Sequence, residues 1–230
     1  NYGIRRYGFH GASHEYMAGR VPELLGRPAD ALRLVSCHLG GSSSICAIQG
    51  GRSIDTTMGF SPQSGLENAT RHGELDVFAV LYMMERCGWG LEEVRRQLTR
   101  TGGLAGLSGV PSGDVRDLAQ AAAQGNRDAE LALEVFAYQV RKTIGAYAAA
   151  LGGLDAVAFT GGIGENSARL RSRCCAGLAF LGLKLDAARN EEGSGDRLVS
   201  ADDSAVAVLA LATNEELIVA RRAWRRLTRG

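Results

Sequence analysis

No stretch of this chain approaches the ~18 to 20 unbroken apolar residues that a membrane span requires, so the sequence reads as a soluble protein. Charge of one sign is also lacking: 26 Lys and Arg against 25 Asp and Glu leave a formal net charge of +1. That balance gives no global reason to bind nucleic acid or a membrane. The local exception is Arg221, Arg222, Arg225, Arg226 and Arg229, which crowd the last ten residues. They lack the interleaved aromatics of a nucleic-acid platform and are expected to solvate a terminal helix and complement its dipole. The five cysteines, Cys37, Cys46, Cys87, Cys174 and Cys175, are odd in number and their only close pair is adjacent. That suits neither a disulfide framework nor a zinc site, and a reducing cytoplasm fits best. Internal repeats and low-complexity tracts are absent, no signal peptide is expected, and because the chain opens at Asn1, directly in motif-like sequence, something upstream is expected to be missing. What is present is ordinary globular composition, 45% apolar and 22% charged over 230 residues, from which one sizeable core with an appendage is expected.

Residues 32–37, 44–49 and 52–57 are short strand candidates, the last two joined by Gly50-Gly51, a pair suited to a tight hairpin. Gly- and Pro-punctuated sequence follows over 58–73, and then Leu75, Phe78, Ala79, Tyr82 and Met83 recur at helical spacing. Residues 91–99 and 115–123 read as shorter helices, the second with Asp114 or Ser112 at its N-cap, while 101–113 reads as a glycine-rich connection. Residues 127–151 read as a long helix with Leu131, Val135, Tyr138 and Lys142 along one side. An apolar strand over 155–160 runs into Gly161-Gly162-Ile163-Gly164, followed by helical sequence over 165–179. A last strand, 205–211, leads through Thr213-Asn214-Glu215-Glu216 to a terminal helix whose Leu217, Ala220, Trp224 and Leu227 share a face that demands a partner. Three meandering strands followed by alternating helices and strands predict an α/β, ribonuclease-H-like fold, a mixed sheet flanked by helices.

Two glycine turns carry the chemistry. His38-Leu39-Gly40-Gly41-Ser42-Ser43-Ser44 joins two strand candidates with small residues whose N–H groups and hydroxyls can converge on an anion. Taken alone it reads more readily as a glycine-rich hairpin with solvated serines than as an anion site. Thr160-Gly161-Gly162-Ile163-Gly164-Glu165-Asn166 places glycines between a strand and a helix N-terminus, where nucleotide phosphates are favoured, though its spacing is not the dinucleotide fingerprint. Arg71 in a turn-rich loop, His10 after an aromatic, and Glu215-Glu216 before a helix are unremarkable singly. Together they supply a nucleotide cradle, a cation for phosphoryl oxygens and an acid for Mg²⁺, the recurring needs of phosphoryl transfer.

The segments 6–14 (Arg-Tyr-Gly-Phe-His-Gly-Ala-Ser-His), 55–62, Thr70-Arg71, 160–166 and 213–216 stand in an order that resembles the acetate kinases, over the whole chain. The resemblance implies a lobe of the sugar kinase, heat-shock chaperone and actin superfamily, homodimerisation mainly through that lobe, and transfer of the γ-phosphoryl group of ATP to acetate with Mg²⁺, giving acetyl phosphate and ADP. It further implies a C-terminal lobe only, residues 1–212, with the terminal helix 213–230 packing on an absent N-terminal lobe, and little or no activity from these residues alone. By position, His10 and Arg71 match the residues that contact the phosphoryl group, and His38, Leu39, Gly40, Gly41 and Ser42 match the phosphate-binding turn. Gly162, Ile163, Gly164 and Asn166 match the adenosine turn, while Asp114, Val115 and Arg116 match the segment flanking adenine and ribose. Phe9 and Pro62 match the acyl pocket, and Glu215 the Mg²⁺-associated acid. The chain departs from the family at Gly41, where an asparagine is usual, at Ser42, where a glycine is usual, and at Ala69 and His72 beside Arg71. Propionate or butyrate kinase, differing in pocket space, and a non-catalytic nucleotide-binding or dimerisation module are the alternatives.

Overall fold

The computed structural model describes residues 2–228, so Arg229 of the terminal arginine group and Asn1 lie outside the described residues. In chain order the elements are α1 (Gly11–Leu25), β1 (Arg33–His38), β2 (Ser44–Gln49), β3 (Arg52–Thr56), α2 (Val77–Cys87), α3 (Leu91–Arg100), α4 (Gly103–Ser108), α5 (Val115–Ala123), α6 (Arg127–Ala150), β4 (Ala156–Thr160), α7 (Gly161–Asn166), α8 (Ala168–Cys175), α9 (Ala187–Glu191), β5 (Arg197–Leu198), β6 (Ala207–Ala210) and α10 (Glu215–Thr228). They group into two compact units where length alone suggested one core. A sheet unit comprises His10–Gly40, Ser44–Thr56 and Val140–Gly230; a helical unit comprises Asn1–Phe9, Gly41–Ser43 and Thr57–Gln139. Among the described residues no helix is long and apolar enough to cross a membrane.

In the sheet unit the strand order is β3-β2-β1-β4-β6-β5. β1, β2 and β3 form an antiparallel meander, β4 runs parallel to β1, and β6 parallel to β4. This is the expected mixed sheet of the ribonuclease-H-like type. Gly50 and Gly51 both take positive φ (57° and 73°), the left-handed geometry that a two-residue hairpin requires. Every residue of β4 is buried, which is why it reads as a continuous apolar run: both of its faces are covered. On one face Leu34, Cys46, Ile48, Ala156, Ala158, Leu209 and Leu211 pack with Met17 and Val21 of α1.

Several elements differ from their sequence expectation. Helix α1 carries no apolar signature because its buried positions include Ser13 and His14 beside Met17 and Val21, and Pro22 falls inside it. In the helical unit, α4 forms within the expected glycine connection: Gly103 (φ 61°) and Gly113 (φ 59°) turn the chain where a Cβ would meet the backbone of residues 68–71 at under 3 Å. Asp114, rather than Ser112, caps α5 by accepting from the Arg116 N–H. The side of α6 marked by Leu131 and Tyr138 is solvent-facing (56% and 55% exposed), and the buried side is Leu133, Phe136, Val140 and Ile144, one position away in phase. The helix expected over 165–179 begins earlier, on Gly161 itself, and breaks at Ser167, whose side chain caps α8. On α10 the buried residue is Ile218, while Trp224 and Leu227 are 69% and 82% exposed. That helix lies against α1, with an Arg222–Glu15 ion pair between them.

Candidate functional site

Side chains two apart on a strand share a face, so Leu34, Ser36 and His38 of β1 line one side of the sheet, as do Ile48, Cys46 and Ser44 of β2. The face is therefore apolar where each strand pair begins and polar at the C-terminal end of β1. Helix α1 lies over this face and repeats the gradient, with Val21 and Met17 over the apolar end and His14 and Ser13 at the polar end. His10 precedes the helix as its N-cap residue, with φ 56° and ψ 32°, and is the one non-glycine among the described residues with positive φ. A residue bearing a Cβ holds that conformation only where its surroundings impose it.

The surroundings are a polar network. His10 Nδ1 lies 2.8 Å from Ser44 Oγ, which also lies 2.9 Å from His14 Nε2; His14 Nδ1 lies 2.9 Å from Ser36 Oγ. His38 Nδ1 lies 2.8 Å from Ser13 Oγ, which is 3.0 Å from the Thr213 hydroxyl. The rings of His10 and His38 stack with centroids 4.2 Å apart. Burial, followed by the neighbouring His38 and His10, pushes the His14 imidazole down to about 3, so it is neutral at physiological pH. Burial lowers His38 as well.

The two glycine turns meet within this unit at Leu39. Its N–H donates to the Thr160 carbonyl (2.8 Å), and its own carbonyl accepts from the N–H groups of Ile163 (2.9 Å) and Gly164 (3.2 Å). Those two amides, expected to be exposed to a phosphate, are thus engaged by an intrachain acceptor. Gly161 has φ 75° and a Cβ there would lie 2.6 Å from the Leu39 oxygen, so only glycine permits the approach. No atom lies within 4 Å of a Cβ placed on Gly162, and the Thr160 hydroxyl beside it is buried without a hydrogen-bond partner. Asn166 donates to the Gly162 carbonyl at 2.9 Å. Glu215 opens α10 in an exposed position, after Asn214, which accepts from the Leu217 N–H.

In the helical unit, the Gly41 carbonyl accepts from Ala69 N–H (3.2 Å) and Ser43 N–H donates to the Asn68 side chain (2.5 Å), which stitches that half of the first turn to the Arg71 loop. Arg71 donates to the Pro62 carbonyl at 2.7 Å. Ser42, Pro62 and Phe9 are half-buried. Asp114 pairs with the exposed Arg116 at 2.6 Å, and Val115 is buried. Sequence reading missed His14, Ser13, Ser36, Ser44, Asn68 and Thr213. The available signal was the spacing of His10 and His14, four apart and hence on one side of a helix.

The donors present fit a nucleotide and its cation. A turn with one unobstructed glycine and an unsatisfied hydroxyl suits an adenosine moiety. Mg²⁺ bound with a nucleotide takes only one or two carboxylates besides the phosphates and waters, so Glu215 alone suffices in kind. Among the described residues no three His, Cys, Asp or Glu side chains cluster as a self-sufficient metal site.

Comparison with known proteins gives a consistent result. The model of the acetokinase family matches residues 1–221. The chain is 50% identical to an acetate kinase of Geobacillus kaustophilus over 224 residues, 97% of this chain and 56% of that protein. It is also 50% identical to a propionate kinase of Escherichia fergusonii, over 97% of this chain and 54% of that one. Among solved structures, an acetate kinase of Porphyromonas gingivalis superposes with a TM-score of 0.94 at 38% identity, covering 98% of this chain and 56% of that chain. The chain thus spans about half the length of the relatives it matches. The expectation of a C-terminal lobe only, with its N-terminal counterpart missing, is corrected by these matches: the likeness runs along nearly the entire chain.

Proposed function

Because the chain belongs to the acetokinase family, we propose that it carries out acetate-kinase chemistry, the reversible transfer of the γ-phosphoryl group of ATP to acetate. A carboxylate oxygen of acetate attacks the γ-phosphorus; the new O–P bond gives acetyl phosphate, and the bond to the β–γ bridging oxygen breaks with its electron pair going to ADP. Acetate resembles a Glu side chain, ionised well below neutral pH, so no base is needed to prepare the nucleophile. What the reaction requires is alignment and neutralisation of charge on the phosphoryl oxygens. In this reading His10 and Arg71 donate to those oxygens, and His38, Leu39, Gly40, Gly41 and Ser42 border the phosphates. Gly162, Ile163, Gly164 and Asn166 border adenosine together with Asp114, Val115 and Arg116. Phe9 and Pro62 border the methyl group, and Glu215 holds Mg²⁺, which neutralises phosphate charge when bound.

The observation that carries the reading is the strained His10, held at its Nδ1 by a buried serine and stacked on His38. A surface histidine that merely capped a helix would need neither restraint. The propionate kinase at equal identity favours a second reading in which the acyl group is one methylene longer. We also infer a homodimer, from the family, and a cytoplasmic location, supported by five free cysteines, four of them buried.

The test incubates the 230-residue protein with ATP, Mg²⁺ and acetate, propionate or butyrate, traps acyl phosphate as the hydroxamate, and measures MgATP binding separately. Nucleotide binding is expected, and whatever acyl phosphate is formed should fall by about a hundredfold or more in His10→Ala or Arg71→Ala. Absence of both nucleotide binding and product with all three acids would remove the proposal.

A further inference from the structure

His14 has no role in the transfer described above, yet both of its ring nitrogens are committed. It stands between Ser36 and Ser44 at 2.9 Å each, and Ser44 stands in turn 2.8 Å from His10 Nδ1. Ser36 and Ser44 are wholly buried and His14 is 5% exposed, so these groups satisfy one another. A hydroxyl has one proton to give and a neutral imidazole one N–H, so the proton positions along Ser36, His14, Ser44 and His10 are not independent. If Ser44 gives its one proton to His10 Nδ1, it can only accept from His14 Nε2–H, and that leaves His14 Nδ1 to accept from Ser36.

We infer that His14 is a positioning residue which, acting through Ser44, holds His10 as the neutral tautomer with its proton on Nε2. Resting on the role of His10 in phosphoryl transfer, the direction follows from what a negatively charged phosphoryl oxygen requires. If Ser36 donates to His14, His14 to Ser44 and Ser44 to His10 Nδ1, the only place left for the His10 proton is Nε2, which makes that nitrogen a donor. The opposite polarity would put the proton on Nδ1 and present a lone pair to the phosphoryl group. The left-handed backbone of His10 and its stack on His38 fix the ring plane, and the serine bond fixes which edge is which.

The decisive measurement is the ¹⁵N shift of the ring nitrogens in the full chain, which has only four histidines. His10 is expected to show a protonated Nε2 and an unprotonated Nδ1. Ser44→Ala and His14→Phe should convert it to a mixture of tautomers, and His14→Gln, which keeps an amide near the Nε2 position, should restore the single form. In turnover, His14→Phe should lower kcat by about tenfold to a hundredfold with KM for ATP changed by less than about threefold, and His14→Gln should recover most of the loss. A packing role would leave the His10 tautomer untouched in every variant. A proton on Nδ1 in the unmodified protein, or a tautomer unmoved by Ser44→Ala, overturns the inference even if His14→Phe fails to fold. Failure of the kinase reading is distinct: no acyl phosphate is then made, while the ring-nitrogen spectrum still decides the relay.

Discussion

An imidazole sealed among serines and other histidines resists protonation, and folding must bear that resistance as the solution turns acid. His14 titrates near 6.5 when unfolded and at about 3 in the folded chain, so between those values the unfolded state binds the extra proton. Stability therefore rises with pH across that window and falls as pH drops below 6.5. By pH 5 this one group removes about 2 kcal/mol, and the lowered His38 acts in the same direction. Urea unfolding at pH 7 and pH 5 should show His14→Gln losing about 2 kcal/mol less than the unmodified protein over that interval. Equal losses would mean that His14 is not the buried neutral group described here. His10 and His38 were legible in the sequence because each sits in a motif with glycine or an aromatic beside it. Ser36, Ser44 and His14 were not, since a serine in a strand and a histidine in a helix declare nothing until α1 is laid across β1 and β2.

Elements were legible where hairpin glycines, an unbroken apolar run or a long run of helix formers marks them. The meander β1–β3, the buried strand β4 and the long helix α6 stand within a residue or two of expectation, and Asp76, Asp114 and Asn214 cap their helices with side-chain oxygens. Elements whose order comes from tertiary bonds were hidden, and the segment from α7 to α9 shows why. Arg169 and Arg173, four apart, share a side of α8, while Arg171 lies on the opposite side and is 1% exposed. Its guanidinium donates to the Gly164 and Glu165 carbonyls at the end of α7 and to both the side chain and the carbonyl of Asn190 in α9. Burial brings its pKa down to about 10, which leaves it charged at neutral pH and fully employed as a fork. Arg171→Leu leaves three carbonyl-type acceptors and an asparagine unsatisfied, and should cost about 3 to 5 kcal/mol. Arg171→Lys should recover less than half of that, because one ammonium cannot span both helices. Since α7 carries Gly162, Ile163 and Asn166, the adenosine contacts of the proposed function, that reading expects MgATP binding to weaken alongside the melting temperature. A lysine variant as stable as the unmodified protein would show the fork geometry to be dispensable.

For the molecule as a whole, the balance of 26 basic and 25 acidic side chains has a kinetic consequence. Long-range attraction of a multiply charged nucleotide needs a summed field, and a net charge of +1 supplies little. Under the proposed function its capture must then depend on short-range hydrogen bonds and ion pairs, which the ~10 Å screening length of 0.1 M salt leaves largely intact. Arg221, Arg222, Arg225 and Arg226 concentrate positive charge on α10, and Arg222 already pairs with Glu15 of α1. The association rate for MgATP should accordingly change by less than about threefold between 50 and 500 mM salt, measured by stopped-flow nucleotide fluorescence. A fall of tenfold or more would identify a steering surface. Replacing Arg221, Arg225 and Arg226 together with glutamine would then show whether that surface is α10, since only in that case would the salt dependence vanish with them.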